Sequence, residues 1–226
     1  MTDTFKSISG RELIRRILDG ERDFSRTRLS TTEAPLYEQE GFQEMAAYLQ
    51  KQDLRNEPVI AEGADWRGLR APGLFFPSTR FAGADLSGAD LRNSDLRRAA
   101  FNEAKLQRTN LEGAIIIHGR FVNTDLSGAN MRGADMYEAK FTGTVLRGTD
   151  LTFAQMPRIG LDGGDLTGAA VGGANLYRSD LRGVTGLDSV RDLGRASFHQ
   201  TVVTRKQMET IEKAFRSLAY FDVRDD

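Results

Sequence analysis

The chain has 226 residues, a formal net charge of −1 from 31 basic and 32 acidic side chains, and no cysteine. A balance so near zero excludes a global electrostatic pull toward nucleic acid or an anionic membrane. The missing cysteines exclude disulfides, thiolate catalysis and thiolate metal sites. No apolar run approaches the length of a spanning helix, and Met1-Thr2-Asp3-Thr4 is not a basic region leading into an apolar core. The expectation is a soluble, cytoplasmic protein with no membrane association.

The first predicted element is a short helix: Ser9-Gly10-Arg11-Glu12 reads as a capping box, Leu13, Ile14, Ile17 and Leu18 share a face, and Gly20 is a stop. Phe24 and Leu29 then stand five apart, out of phase with the regular run that begins at Phe76, so something must intervene. Residues 33 to 60 read as that interruption, with Pro35 near a start and Phe42, Met45, Ala46 and Leu49 at helical spacing. Residues 1–60 are expected to form an N-terminal helical cap, with a first partial coil and a helical insertion across the mouth of the main domain.

From Phe76 to Leu181 every fifth residue is apolar, 22 positions in succession, in a chain that is 39% hydrophobic overall. Chance would give such a run on the order of once in a billion, so the period is a structural instruction. Five matches neither the 3.6 of a helix nor the 2.0 of a flat strand, so the chain must turn a corner once per unit. Phe81, Phe101, Phe121 and Phe141 add a second period of 20, while 86, 106, 126, 146 and 166 are all leucine. Four five-residue sides per coil result, with like side chains stacked coil upon coil.

The other positions of the unit agree. Two residues before each central one, positions 79 to 179 hold Ala, Thr, Ser or Gly in 20 of 21 cases, as a narrow interior requires; Ile159 alone departs, and a local distortion is expected there beside Pro157. Asp or Asn precedes the centre in 11 of 21 units, where a short side-chain oxygen caps backbone N–H groups. Gly recurs two positions after the centre, at Gly83, Gly88, Gly113, Gly128, Gly133, Gly168 and Gly173, for corners with unusual dihedrals.

The resulting A-D-L-x-G consensus, as in Ala84-Asp85-Leu86-Ser87-Gly88, resembles the pentapeptide-repeat family over roughly residues 61 to 186. The resemblance implies an all-β solenoid, a right-handed quadrilateral parallel β-helix. Residues 61–186 are its expected extent, a rod of about 26 Å at roughly 4.8 Å per coil. The expected C-terminal cap is 187–226. There the period fades, and the capping box Thr204-Arg205-Lys206-Gln207 opens a helix over 205–219 with Met208, Ile211, Phe215 and Leu218 on one face. That face either caps the last coil or joins two chains, since Tyr220 and Phe221 extend it; the chain is expected to be a monomer or a homodimer through this region.

Chemistry is sparse. The two histidines, His118 and His199, lie roughly four coils apart, and no nucleophile, base and orienter form a set. Asp162-Gly163-Gly164-Asp165 lacks the period of nine that calcium-binding repeats need, and no phosphate-loop motif occurs. The expectation is no enzyme, no cofactor and no metal, with function carried on the surface. The side centred on 96, 116, 136, 156 and 176 is the most interface-like: Arg97, Ile117, Tyr137, Arg158, Tyr177 and Arg178 combine aromatic residues with arginine. These six are the candidate protein-binding face for an unidentified partner. Family members that imitate DNA and bind DNA gyrase make gyrase the alternative partner. Such mimicry needs strongly acidic faces, and the outward residues of the four sides here sum to +1, 0, −1 and +1. The first reading is therefore a non-enzymatic scaffold or protein–protein interaction module, with no direct nucleic-acid binding.

Overall fold

The computed structural model describes residues 5–30 and 34–215, together with the backbone of 221–223. The beat of five becomes a repeat solenoid. Each unit places one residue in a parallel bridge, buries the next, turns through two exposed or half-buried residues, and buries a small residue before the next bridge. Bridges join each unit to the one 20 residues on: Arg80 to Ala100, Asp85 to Lys105, Asp90 to Asn110 and Asp95 to Ile115. Four bridge columns therefore run along the molecule, each named by one of its buried centres: Phe81, Leu86, Leu91 and Leu96. Phe81 N–H donates to the Ala100 carbonyl at 2.7 Å and Asp85 N–H to the Ala64 carbonyl at 2.8 Å, so coils are tied in both directions. The expected side-chain capping is present: Asp85, Asp125 and Asp165 each accept from the backbone N–H two residues on, at 3.0, 2.9 and 2.9 Å.

Inside, identity repeats as well as polarity. Phe81, Phe101, Phe121 and Phe141 stack with centroids 5.1, 5.0 and 4.7 Å apart and planes within 12° of parallel. Trp66 meets the first ring edge-on at 5.9 Å. Stacked pairs of this kind contribute about 0.5–1.5 kcal/mol beyond area burial. Where the column passes from Phe141 to Leu161 a small apolar void of about 10 Å³ remains, and Ile159 lines it. The one large residue at a small position thus stands where the phenylalanine ladder ends and there is volume to fill. The distortion expected beside Pro157 is local: Ile159 N–H donates to Ser179 Oγ at 3.2 Å, and that hydroxyl donates to the Met156 carbonyl at 2.7 Å. Other buried hydroxyls donate to the carbonyl 23 residues back, as from Thr109 to Leu86, Thr124 to Phe101 and Thr149 to Leu126.

Both ends swap pentapeptides for a helix within a coil. At the N-terminus β1 (Lys6–Ile8) pairs in parallel with β2 (Thr27–Leu29), Lys6 opposite Thr27, and α1 (Gly10–Leu18) fills the space between. Ser9 caps α1 by accepting from Glu12 N–H at 3.0 Å, and Leu13, Ile14 and Ile17 are buried. The next step is 37 residues: Asp23 bridges Ile60 and Arg28 bridges Asp65. The excess over a regular coil holds a 3₁₀ turn at Leu36–Glu38 and α2 (Phe42–Gln50), which buries Phe42, Met45 and Leu49. This excess is not a multiple of five, which is why Phe24 and Leu29 read out of phase although they lie in the columns of Ala61 and Trp66.

At the other end β3 (Thr201–Val203) pairs in parallel with β4 (Phe221–Val223), and α3 (Arg205–Ala214) lies between them in sequence. The capping box of Thr204 and Gln207 is complete. The helix ends at Ala214, earlier than expected: Phe215 leaves it in an extended conformation, and 216–219 lie outside the described residues. Among the described residues the buried apolar side chains, Ala170 apart, form one continuous core from Ile8 and Leu13 to Val203 and Ile211.

Candidate protein-docking face

The Leu96 column carries the candidate face. Its bridge residues run Phe75, Asp95, Ile115, Asp135, Gln155, Asn175 and Ser197. Each is succeeded by a buried centre and then by two turn residues, the second with positive φ. In the other three columns that second residue is mostly glycine. Here none is: Ser78, Arg98, His118, Glu138, Arg158, Arg178 and Gln200 hold φ of 54 to 62° in seven successive coils. A left-handed backbone costs an ordinary residue roughly 1 kcal/mol relative to its preferred conformation. The same strained corner recurs in every coil from Ser78 to Gln200, always under a side chain larger than glycine's.

The side chains interlock. Arg158 Nη1 donates to the Tyr137 hydroxyl at 3.1 Å and to Glu138 Oε1 at 3.1 Å. His118 Nδ1 lies 3.4 Å from Glu138 Oε2, and its ring meets Tyr137 edge-on at 6.1 Å. The Tyr137 hydroxyl, and next the Arg158 guanidinium, hold the Glu138 carboxyl below its ordinary range, while the same bond to Glu138 raises the Tyr137 phenol. One coil on, the Arg178 guanidinium lies 5.0 Å from the centre of the Tyr177 ring and donates from Nε to Gln200 Oε1 at 2.6 Å. Tyr177 also stacks on His199, 5.6 Å away and 8° from parallel.

Of the six residues singled out in the sequence, Tyr137 and Arg158 touch directly, as do Tyr177 and Arg178. Arg97 is held by its own Asp95, Nε to Oδ1 at 2.8 Å, and Ile117 is half-buried beside the 40% exposed Ile115. At the N-terminal foot of the column Leu54, Arg55, Phe75 and Arg98 help to line a hollow of about 290 Å³ against the insertion. Sequence reasoning missed His199 and Gln200, because 22 residues separate Asn175 from Ser197 where the regular period is 20. The two added residues sit among the 3₁₀ turns at Leu187–Ser189 and Leu193–Arg195. The readable signal was the column's lack of glycine.

The second candidate group lies at the C-terminal end. Ile211 is buried, Met208 and Phe215 are partly buried against the core, and Leu218 lies outside the described residues, as does Tyr220. Phe215 meets Phe198 edge-on at 5.8 Å. Gln207 Nε2 donates to the Leu181 carbonyl at 2.7 Å, closing a backbone acceptor of the last regular coil. Among the described residues no group of three or more His, Cys, Asp or Glu is arranged to hold a metal ion, and no helix is long and apolar enough to cross a membrane.

The family of pentapeptide repeats matches in eight copies, over residues 79–116 and 120–152. Among solved structures, a trypsin-treated variant of QnrB1, a plasmid-mediated fluoroquinolone resistance protein, is similar at TM-score 0.56 and 20% identity, covering 73% of this chain and 82% of that one. HetL, a pentapeptide repeat protein involved in heterocyst differentiation regulation in the cyanobacterium Nostoc sp. strain PCC 7120, is similar at TM-score 0.47 and 20% identity, covering 84% of each chain. At such identity the likeness to QnrB1 is one of fold. No curated protein matches the chain in sequence.

Proposed function

This chain belongs to the pentapeptide-repeat family, and we propose that it is a non-enzymatic scaffold whose Leu96 column docks a protein partner. The observation that carries this reading is the unbroken series of seven non-glycine residues at positive φ along one corner. At the other three corners this position is mostly glycine, with Asn93, Glu103, Arg108, Asn123 and Phe153 among the exceptions; this corner keeps Ser, Arg, His, Glu and Gln beside Tyr137 and Tyr177. Aromatic and arginine side chains are the usual anchors of protein interfaces. The fold is a right-handed four-sided β-helix over 61–186, a reading supported by four parallel bridges per 20 residues. Of the expected caps, 1–60 and 187–226, the described residues place α1 and α2 before the regular coils and α3 after them. The inward placement of Ile211 and the Gln207 bond support α3 as a cap of a monomer.

Affinity capture on the intact chain tests the docking face. A partner retained by wild type should be lost by the Tyr137→Ala, Tyr177→Ala double variant and by Arg158→Glu with Arg178→Glu, and kept by Arg120→Glu on the Phe81 column. Retention by all three variants overturns the proposal. The alternative of a gyrase-directed DNA mimic finds no support in the charge pattern, since carboxylates such as Asp85, Asp125 and Asp165 are matched on their own column by Lys105, Arg108 and Arg147. Purified protein should leave gyrase supercoiling unchanged with or without a quinolone.

A further inference from the structure

A second feature stands on a different corner, between the Phe81 and Leu86 columns near the N-terminus. The positive-φ corner beside the Phe81 column runs Arg26, Gly63, Gly83 and Glu103 along the axis. The two glycines leave a notch between larger neighbours: a Cβ on Gly83 would meet nothing within 4 Å, and one on Gly63 only the Arg26 stem at 3.9 Å. The result is a groove of about 430 Å³, within the size range of small-molecule sites.

Its walls are charged in a particular way. Buried Asp65 accepts from Arg28 Nε at 2.7 Å, and from Arg67 Nε at 2.7 Å and Nη2 at 2.8 Å. One carboxylate thus orients two guanidiniums, each about half exposed, and is itself consumed in doing so. The Phe5 ring lies against Arg28, its centre 4.7 Å from the guanidinium carbon. Arg26 and Lys105, also lining the groove, have no ion-pair partner among the described residues. The remaining carboxylate, Asp85, accepts from Ser87 N–H at 3.0 Å and stands 4.0 Å from Arg67 Nε. Four cations therefore face two carboxylates, of which one is fully engaged. A surplus of positive charge, with guanidiniums held in place by a buried acid, suits a dianion with several acceptor oxygens.

We propose that this groove binds a phosphate monoester, presented either as a small molecule or as a phosphorylated side chain. Arg28 and Arg67 grip the phosphate in a fixed orientation, Arg26 and Lys105 supply its remaining countercharge, and the Phe5 edge of the groove contacts the organic portion. The site is separate from the docking face and does not rest on it.

Calorimetric titration of the full chain at low ionic strength with phenyl phosphate, inorganic phosphate and a phosphotyrosyl peptide tests the proposal. Saturable one-site binding of phenyl phosphate is expected, with phenyl sulfate weaker. Tighter binding of the peptide than of phenyl phosphate identifies a side-chain source, and the reverse a small molecule. Arg26→Gln and Lys105→Gln remove exposed, unpaired cations and should each weaken binding about fivefold to tenfold with thermal unfolding of the free protein unchanged. Arg132→Gln, on the Leu91 column, should leave binding as in wild type. No saturable binding of any probe at about 10 mM, no loss in either groove variant, or an equal loss in Arg132→Gln overturns it.

Discussion

Two columns run the length of the solenoid and obey opposite rules. In the interior Phe81 column one residue type recurs and stacks ring on ring. At the outer corner of the Leu96 column a conformation recurs, positive φ in seven coils, while the residue changes at every step but one. Where identity repeats, packing has chosen it, because each ring completes the environment of the next. Where a costly conformation repeats under varied polar side chains, packing has not chosen them; under the proposal above, a partner would. The contrast separates architecture from function in a protein whose sequence is dominated by architecture.

The largest effects belong to the interior column. Phe101 is fully buried between two stacked rings, so Phe101→Ala removes two ring contacts and leaves a cavity that the flanking coils cannot close independently. A loss of about 3–5 kcal/mol in urea-induced unfolding is expected. Phe141→Leu should cost about 1 kcal/mol, because the ladder ends there and Leu161 already succeeds it in the column. Equal losses at the two positions would break the account of the ladder as a mutually supporting stack.

Next is the C-terminal cap. A Cβ on Gly194 would lie 2.2 Å from the Ala214 carbonyl oxygen, at the end of α3. The backbone atom cannot rotate away as a side chain could, so Gly194→Ala must shift α3 from the last coils. Destabilisation of about 1–3 kcal/mol is expected, with the α3 amides losing hydrogen-exchange protection before those of residues 79–152. Unchanged protection would show that α3 is not held where Gly194 allows it to rest.

Buried hydroxyls sharpen the comparison within the interior. Thr124 Oγ1 donates to the Phe101 carbonyl at 2.6 Å, and Thr124→Val should cost about 1 kcal/mol by orphaning that bond. Thr79 is equally buried, but its hydroxyl has no partner among the described residues. Counting the same 23 residues back leads to Asn56, in the turn where the insertion returns to the coil, and no repeat carbonyl stands there. Thr79→Val should therefore be neutral or stabilise by up to about 1 kcal/mol. The unfolding temperature should fall for Thr124→Val and hold or rise for Thr79→Val; a loss at Thr79 matching that at Thr124 would refute the assignment.

The interior was legible in the sequence because a period of five, overlaid by a period of 20, names every inward residue. Even Ile159, the one exception, coincided with the end of the Phe ladder. The ends were legible as helices through Ser9 and Thr204, but the phase of Phe24 and Leu29 was not, since an insertion of arbitrary length erases register while leaving the columns intact. The docking face was half legible. Tyr137 and Arg158 could be placed on one side by counting, whereas His199 escaped because the added residues after Asn175 shift the count. The cation groove escaped altogether: Arg28 and Asp65 meet only through the 37-residue step across the insertion.

The smallest effect tests the contrast between the two columns most directly. Replacing Arg98 and Arg178 by glycine relieves a left-handed backbone at two positions, against the greater freedom glycine brings to the unfolded chain. Arg178→Gly also removes the bond to Gln200 and the stacking over Tyr177. The net change in stability is expected to be within about 1 kcal/mol, and in the stabilising direction for Arg98, which has no comparable network among the described residues. Partner capture should fall in the same variants. A corner that becomes more stable and less able to bind when given the residue its neighbours use is one where function holds the backbone in strain. A double variant that binds as wild type, with stability gained, would instead leave the seven non-glycine residues as an ordinary surface that tolerates its strain.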